Sequence, residues 1–196
     1  MQMALKNAEL VPLWELMHTT TEAARLLKES AQGKQPASAV LKRMEALRGN
    51  AANLVKECTV KIQGTFITAI DSKVMLYLLF YLYKLLRSLL CTAQFLQSGH
   101  PMEESDLTRY LMWLCGYVEK VVRRSERLFR LVSRNRACKL ETVYDVSEGE
   151  AFSLGACRYL STKENYQQTT VLAMLRQCEN TAYDIDVFTL EHSLYE

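Results

Sequence analysis

Six cysteines, three histidines and a row of arginines are the residues of this 196-residue chain best able to do chemistry. The cysteines are Cys58, Cys91, Cys115, Cys138, Cys157 and Cys178. None stands in a C-x-x-C pair or three residues before a histidine, so the local spacings that bring two ligands onto one zinc ion or one redox partner are missing. Free, mostly buried thiols are the expectation. His18, His100 and His192 fall in unrelated segments, and the chain holds no glycine-rich phosphate loop, no G-x-S-x-G and no H-E-x-x-H. A cysteine–histidine nucleophile such as Cys91 with His100 would need tertiary contacts that spacing does not supply, and His100 between Gly99 and Pro101 reads as a loop residue. The sequence therefore names no catalytic residue and no cofactor, and argues for a protein that is not an enzyme.

Cations do show a pattern. Lys120, Arg123, Arg127, Arg130 and Arg134 recur at spacings of 3, 4, 3 and 4, which lines one face of a helix. Val118, Val121, Val122, Leu128, Phe129 and Val132 fill the other side and are expected in the core. Such a stripe suits anionic lipid headgroups or an acidic loop of a protein partner. The alternative is a solvated face laced by pairs one turn apart, Glu119 with Arg123 and Glu126 with Arg130. Nucleic acid is the poorer partner: no aromatics interleave with the arginines, no helix-turn-helix punctuation is present, and a pI of 8.2 is modest.

The elements that must position these residues are helices. A hydrophobic share of 49% with 23% charged residues is ordinary globular composition, sufficient for one sizeable core or two coupled small ones. Only 7 glycines and 3 prolines interrupt the chain, which favours long helices over a many-stranded sheet. The spacing predicts about six. The first covers residues 11–30, with Pro12 in its first turn and Gly33 beyond its end; the second runs from after Pro36, with Ser38 as N-cap, to Gly64. A third covers residues 71–97, a fourth 101–135, a fifth 140–160 and a sixth 166–194. The β-branched stretch 65–70 is read as a tight connection, since no other strand exists to pair with it.

Ser98-Gly99-His100-Pro101 is the strongest punctuation and marks the midpoint. Folding the second and third helices about Thr68 sets Ala52 opposite Lys84 and Arg48 near Ser88. The same construction about Glu164 sets Glu148 opposite Asn180 and Phe152 opposite Arg176. The two centres lie half a chain apart. This suggests a duplicated three-helix unit, residues 1–98 and 99–196, packed into one compact all-α domain; a single six-helix bundle is the alternative. The first hairpin also brings Arg48, Lys84 and Arg87 near one another as a candidate anion pocket.

The longest uninterrupted apolar run, residues 74–83, is well short of the roughly 20 residues that cross a bilayer. It is apolar on every face, so it is expected to be covered on nearly all sides, by the bundle itself or, through its tyrosines, by a second copy or a partner. The N-terminus passes from Met1–Lys6 to Asn7 and Glu9 without an apolar leader, which reads as a reducing, cytoplasmic location with any membrane contact made from the surface. The net charge of +2 hides an asymmetry: residues 1–140 hold 21 Lys and Arg against 12 Asp and Glu, residues 141–196 hold 3 against 10.

Gly64 to Asp71, G-T-F-I-T-A-I-D, resembles the T-F-I-T-P-[IF]-D turn of the PhoU-like putative phosphate transport regulators, accessory proteins of Pit-type inorganic phosphate transporters. Leu13-Trp14-Glu15-Leu16 and Ala23-Ala24-Arg25-Leu26-Leu27 in the first helix, Glu148-Gly149-Glu150-Ala151 in the fifth and the stretch 175–191 in the last extend the resemblance in order over the chain. It implies a PhoU-like six-helix architecture and a non-enzymatic regulatory role beside a phosphate transporter, exercised from the cytosolic side. The alternative is a helical adaptor that kept the fold and serves another partner.

In such proteins acidic clusters on the hairpin helices gather metal ions. Here the corresponding positions of the first hairpin read Arg48, Asn50 and Ala52 on one helix and Tyr83, Lys84 and Arg87 on the other, and cations in place of ligands repel a metal. In the second hairpin Glu148, Glu150 and Asp184 persist, with Asn180 as a carbonyl donor, Phe152 in place of an acid and Val187 at a lost position. These four residues are the candidate metal set. Exposed acids on helix surfaces are the favoured alternative, so no metal is expected.

Overall fold

The computed structural model describes residues 11–64, 72–97, 106–132 and 166–192. Five helices make up nearly all of them: α1 (Val11–Ala31), α2 (Ala37–Gly64), α3 (Ser72–Gln97), α4 (Asp106–Val132) and α5 (Tyr166–Glu191). Among the described residues the chain is all-α. The helix expected over 140–160 and the connection 65–71 lie outside them, as do the outer ends of the expected fourth and last helices.

The first helix forms where its periodicity places it. Leu13, Leu16, Met17, Thr20, Ala24 and Leu27 are buried at 3 and 4 spacing. The Thr20 hydroxyl, wholly enclosed, donates to the Leu16 carbonyl at 2.8 Å, which removes the cost of burying it. At the C-terminus Gly33 takes a φ of +69°, its N–H donates to Ser30 and that of Lys34 donates to Glu29. This is the left-handed glycine closure that satisfies the last carbonyls of a helix. The next helix starts two residues earlier than a Ser38 cap would set it, because the Pro36 carbonyl accepts from Val40 at 3.1 Å and Ala37 is already helical. Arg43 reaches back to Glu22 at 2.9 Å and ties α2 to α1.

Directions follow from who touches whom. Trp14 lies under Arg130, and Met17, Thr21 and Arg25 face Arg123, so α1 and α4 are antiparallel. Thr92 touches Cys178 while Tyr77 and Tyr81 touch Phe188, so α3 and α5 are antiparallel as well. Tyr110 meets Glu179 and Ser125 meets Thr189, so α4 and α5 run parallel. The seven residues between α2 and α3 reach at most about 28 Å, whereas a 28-residue helix spans roughly 42 Å, so these packed neighbours are antiparallel. α1, α3, α5 and α4 form a ring of four, each packed on the next, and α2 lies in the groove over α1 and α3. Exchanging α1 with α4 and α3 with α5 maps the α1–α3 pairing onto that of α4 with α5 and leaves the other two pairings of the ring in place.

Lys73–Gln97 is by length and composition long and apolar enough to cross a membrane, because the helix continues past Lys84 and Arg87. Its Leu78, Leu79, Leu82, Leu85, Leu86 and Leu89 are fully enclosed, and it packs on α1, α2 and α5 as the central helix of the bundle. Full burial of each such leucine contributes about 1.5–3 kcal/mol. The expectation that residues 74–83 are covered on nearly all sides is corrected in part. Tyr77 and Phe80 remain 59% and 53% exposed, because the face between α2 and α5 has no described helix over it.

A polar seam joins α4 to α5. The Tyr110 hydroxyl donates to the Glu179 carboxylate, Arg124 forms an ion pair with Asp186 at 2.6 Å and also donates to its carbonyl, and Ser125 and Thr189 share a 2.8 Å hydrogen bond. Tyr110, Trp113 and Tyr117 stack in sequence along α4, with centroids 6.0 and 5.5 Å apart.

Candidate functional site

The basic stripe of α4 is solvent-facing as its spacing requires: Lys120, Arg123, Arg127 and Arg130 are exposed, and Arg134 lies outside the described residues. Two of the four are engaged along their own helix. Arg123 sits 3.5 Å from Glu119, and Arg130 pairs with Glu126 while its Cζ lies 5.3 Å from the centre of the Trp14 ring. Lys120 and Arg127 form no ion pair among the described residues. Their charge is available to an incoming anion.

The stripe borders a recess. Val11, Trp14 and His18 of α1, Asn50, Asn53 and Leu54 of α2, and Glu126 of α4 surround about 730 Å³ of open volume. A second hollow of about 310 Å³ continues from Trp14, His18 and Glu126 toward Thr21, Arg25 and Arg123. Trp14 Nε1 is buried with no hydrogen-bond partner among the described residues. The recess offers amides, an imidazole and an indole N–H around an apolar floor, which suits binding. No cysteine or serine lines the first hollow, and its one hydroxyl, Thr19, donates to the Glu15 carbonyl at 2.7 Å.

Lys84 and Arg87 share the wall of a recess of about 260 Å³ with Phe80, Tyr83, Ser88 and Cys91 of α3 and Met174 and Gln177 of α5. Arg48 is exposed on α2. The third helix thus offers Lys84 and Arg87 toward α5.

Of the candidate metal set, Glu148 and Glu150 lie outside the described residues, and Asn180 and Asp184 are exposed one turn apart on α5. Among the described residues no three His, Cys, Asp or Glu side chains are placed to share an ion.

The described thiols are free. Burial pushes Cys58 up to about 11 and Cys178 up to about 12, and it raises Cys115 as well. Thiolate is the reactive form, so these three do no nucleophilic chemistry near neutral pH. Cys91 alone of the four is exposed.

Sequence reasoning missed Trp14 with its recess and the inward turn of Arg124. A signal existed for the second: Arg124 falls out of the 3 and 4 rhythm kept by Arg123 and Arg127, which leaves it on the side of Val121 and Leu128. Burial lowers the Arg124 pKa and Asp186 opposes that shift. Nothing in the spacing points to the Trp14 recess, which three different helices build.

No protein-family model matches the chain, and comparison with curated proteins gives no match.

Proposed function

We propose that this chain is a non-enzymatic, PhoU-like accessory protein of inorganic phosphate transport that binds a transporter or associated partner from the cytosolic side. The observation that carries the reading is the exchange relation within the ring: α1 with α4 and α3 with α5 occupy equivalent places, as two copies of an up-down-up unit would. The third helix of the second unit would be the one expected over residues 140–160. The G-T-F-I-T-A-I-D turn falls between α2 and α3, where the resemblance requires a hairpin connection. Lys120 and Arg127, with the recess beside Trp14, form the docking face in this reading.

Phosphate uptake in cells deprived of the protein tests it. The uptake rate should change, return with the wild-type chain and fail to return with Lys120→Glu/Arg127→Glu. An unchanged rate on removal would sink the transport reading.

A helical adaptor serving another partner is the second reading, favoured by Lys84 and Arg87, which stand on a helix with no carboxylate of its own. Co-purification with a protein other than a transporter, and no uptake phenotype, would select it.

A further inference from the structure

One face of α3 is left open along its length. Lys73, Tyr77, Phe80, Lys84, Arg87 and Cys91 are exposed and recur at 4, 3, 4, 3 and 4, a straight stripe about 27 Å long. α3 contains no Asp or Glu, so no carboxylate of its own helix faces Lys84 and Arg87. Lys84 and Arg87 form no ion pair among the described residues. Asp184, two turns beyond Gln177 on the same side of α5, is exposed and pairs with neither.

These cations are set into a hollow. The 260 Å³ recess between α3 and α5 has Lys84 and Arg87 at its rim, with the Tyr83, Ser88 and Gln177 side chains on its wall, a combination of charge and hydrogen-bond donors that suits a single phosphate group. One and two turns toward the helix N-terminus stand the half-exposed rings of Phe80 and Tyr77. Aromatic rings beside cations on one helix face are the arrangement that rests at headgroup depth in a bilayer, the tyrosine hydroxyl toward water and the phenyl ring toward the chains.

A second copy of the chain is a poor occupant. A two-fold contact through this stripe brings together two faces that each carry Lys84 and Arg87 on a helix with no carboxylate, so neither protomer offers the anion that the other's cations call for. Charge complementarity calls for an anionic surface, and a straight stripe presenting a cation-rimmed hollow beside exposed rings fits a plane of headgroups.

We propose that the open face of α3 docks on an anionic lipid bilayer, with a headgroup phosphate held by Lys84 and Arg87 and with Tyr77 and Phe80 at the headgroup boundary. This goes beyond the proposed function, since it fixes which side of the bundle meets the membrane whichever protein is bound.

Flotation of the full chain with vesicles is the test, comparing phosphatidylcholine alone with a mixture containing one third phosphatidylglycerol. Binding is expected to the mixture and not to phosphatidylcholine. Lys84→Ala/Arg87→Ala should lower the partition coefficient about thirtyfold, at roughly fivefold per charge. Phe80→Ser should also weaken binding, while Lys34→Ala/Lys42→Ala, in the turn before α2 and at its start, should leave it unchanged. All five positions are exposed, and unaltered melting temperatures would exclude a folding effect.

Equal binding by the Lys84/Arg87 variant, or loss only in the Lys34/Lys42 variant, would overturn the proposal. So would a dimer without vesicles that Phe80→Ser dissociates, or capture by a polyglutamate peptide with no vesicle binding. A melting-temperature rise with inorganic phosphate that needs Lys84 and Arg87, again with no vesicle binding, would make the recess a soluble-phosphate site instead. Phosphate uptake is not read here, so failure of the transport reading leaves this outcome distinct.

Discussion

The guanidinium of Arg124 on α4 meets the carboxylate of Asp186 on α5 at 2.6 Å, with side chains only 6% and 1% exposed. Removing one partner strands the other charge in the core, so Arg124→Ala or Asp186→Ala should each cost about 3–5 kcal/mol in urea unfolding. Arg124→Met with Asp186→Leu should recover most of that loss. If the double variant is as unstable as either single one, the pair is not the source of the cost.

The two faces of α3 should respond oppositely to truncation. Leu82→Ala removes a fully enclosed side chain and should cost about 2–5 kcal/mol, whereas Phe80→Ala two positions away should stay within about 0.5 kcal/mol. Thermal melts of the two variants, purified without detergent, check this. Equal losses would mean the helix is covered on all sides after all.

Stability should fall at alkaline pH. Cys58 and Cys178 are raised in the folded protein to about 11 and about 12 from the ordinary thiol value of 9.0, so their contribution is fully present below pH 9 and is lost as pH climbs through those values. The slope contributed by each thiol approaches about 1.4 kcal/mol per pH unit once it ionises only in the unfolded chain. Cys178→Ala should flatten the pH 9–12 limb of the melting-temperature curve. At pH 8, iodoacetamide should label Cys91 ahead of Cys58, Cys115 and Cys178.

Arg130→Ala should perturb the indole that it covers. Loss of the contact to Trp14 and of the pair with Glu126 should cost about 0.5–1.5 kcal/mol and shift Trp14 emission, while Arg127→Ala does neither. Emission spectra in a Trp113→Phe background isolate the signal.

Elemental analysis of protein prepared without added metal should find no stoichiometric transition metal. Iron or zinc that disappears in a Glu148→Ala/Glu150→Ala variant would revive the carboxylate set and displace the binding-scaffold reading.

Helices were legible because their signals are local. Pro12, Gly33 and the 3 and 4 spacing of Leu13, Leu16, Met17 and Thr20 bracket α1 to within a residue, and α3 ends at Gln97 as expected. Ser38 misled since a side-chain cap is only one way to start a helix, and the Pro36 carbonyl was already in place. The candidate surfaces were half legible. The α4 stripe follows from spacing alone, but whether Arg123 and Arg130 are engaged depends on rotamers and on Trp14, a residue more than a hundred positions away. Tyr77 and Phe80 looked buried because composition reports how apolar a helix is, and only packing reports how many neighbours it has.

The antiparallel pairing of α1 with α4 and of α3 with α5 has a consequence for how the chain is threaded. Val11 lies at the pole where α4 finishes, and His192 lies at the pole where α3 begins. With α1 and α3 both antiparallel to α2, these are one and the same pole. The first and last described residues therefore leave the bundle at the same end, from opposite corners of the ring. A pair of fluorophores on Val11 and His192 would report a short distance, and the bundle could be spliced into a host loop or tethered by both ends at once, with its flanks still open to whatever it meets.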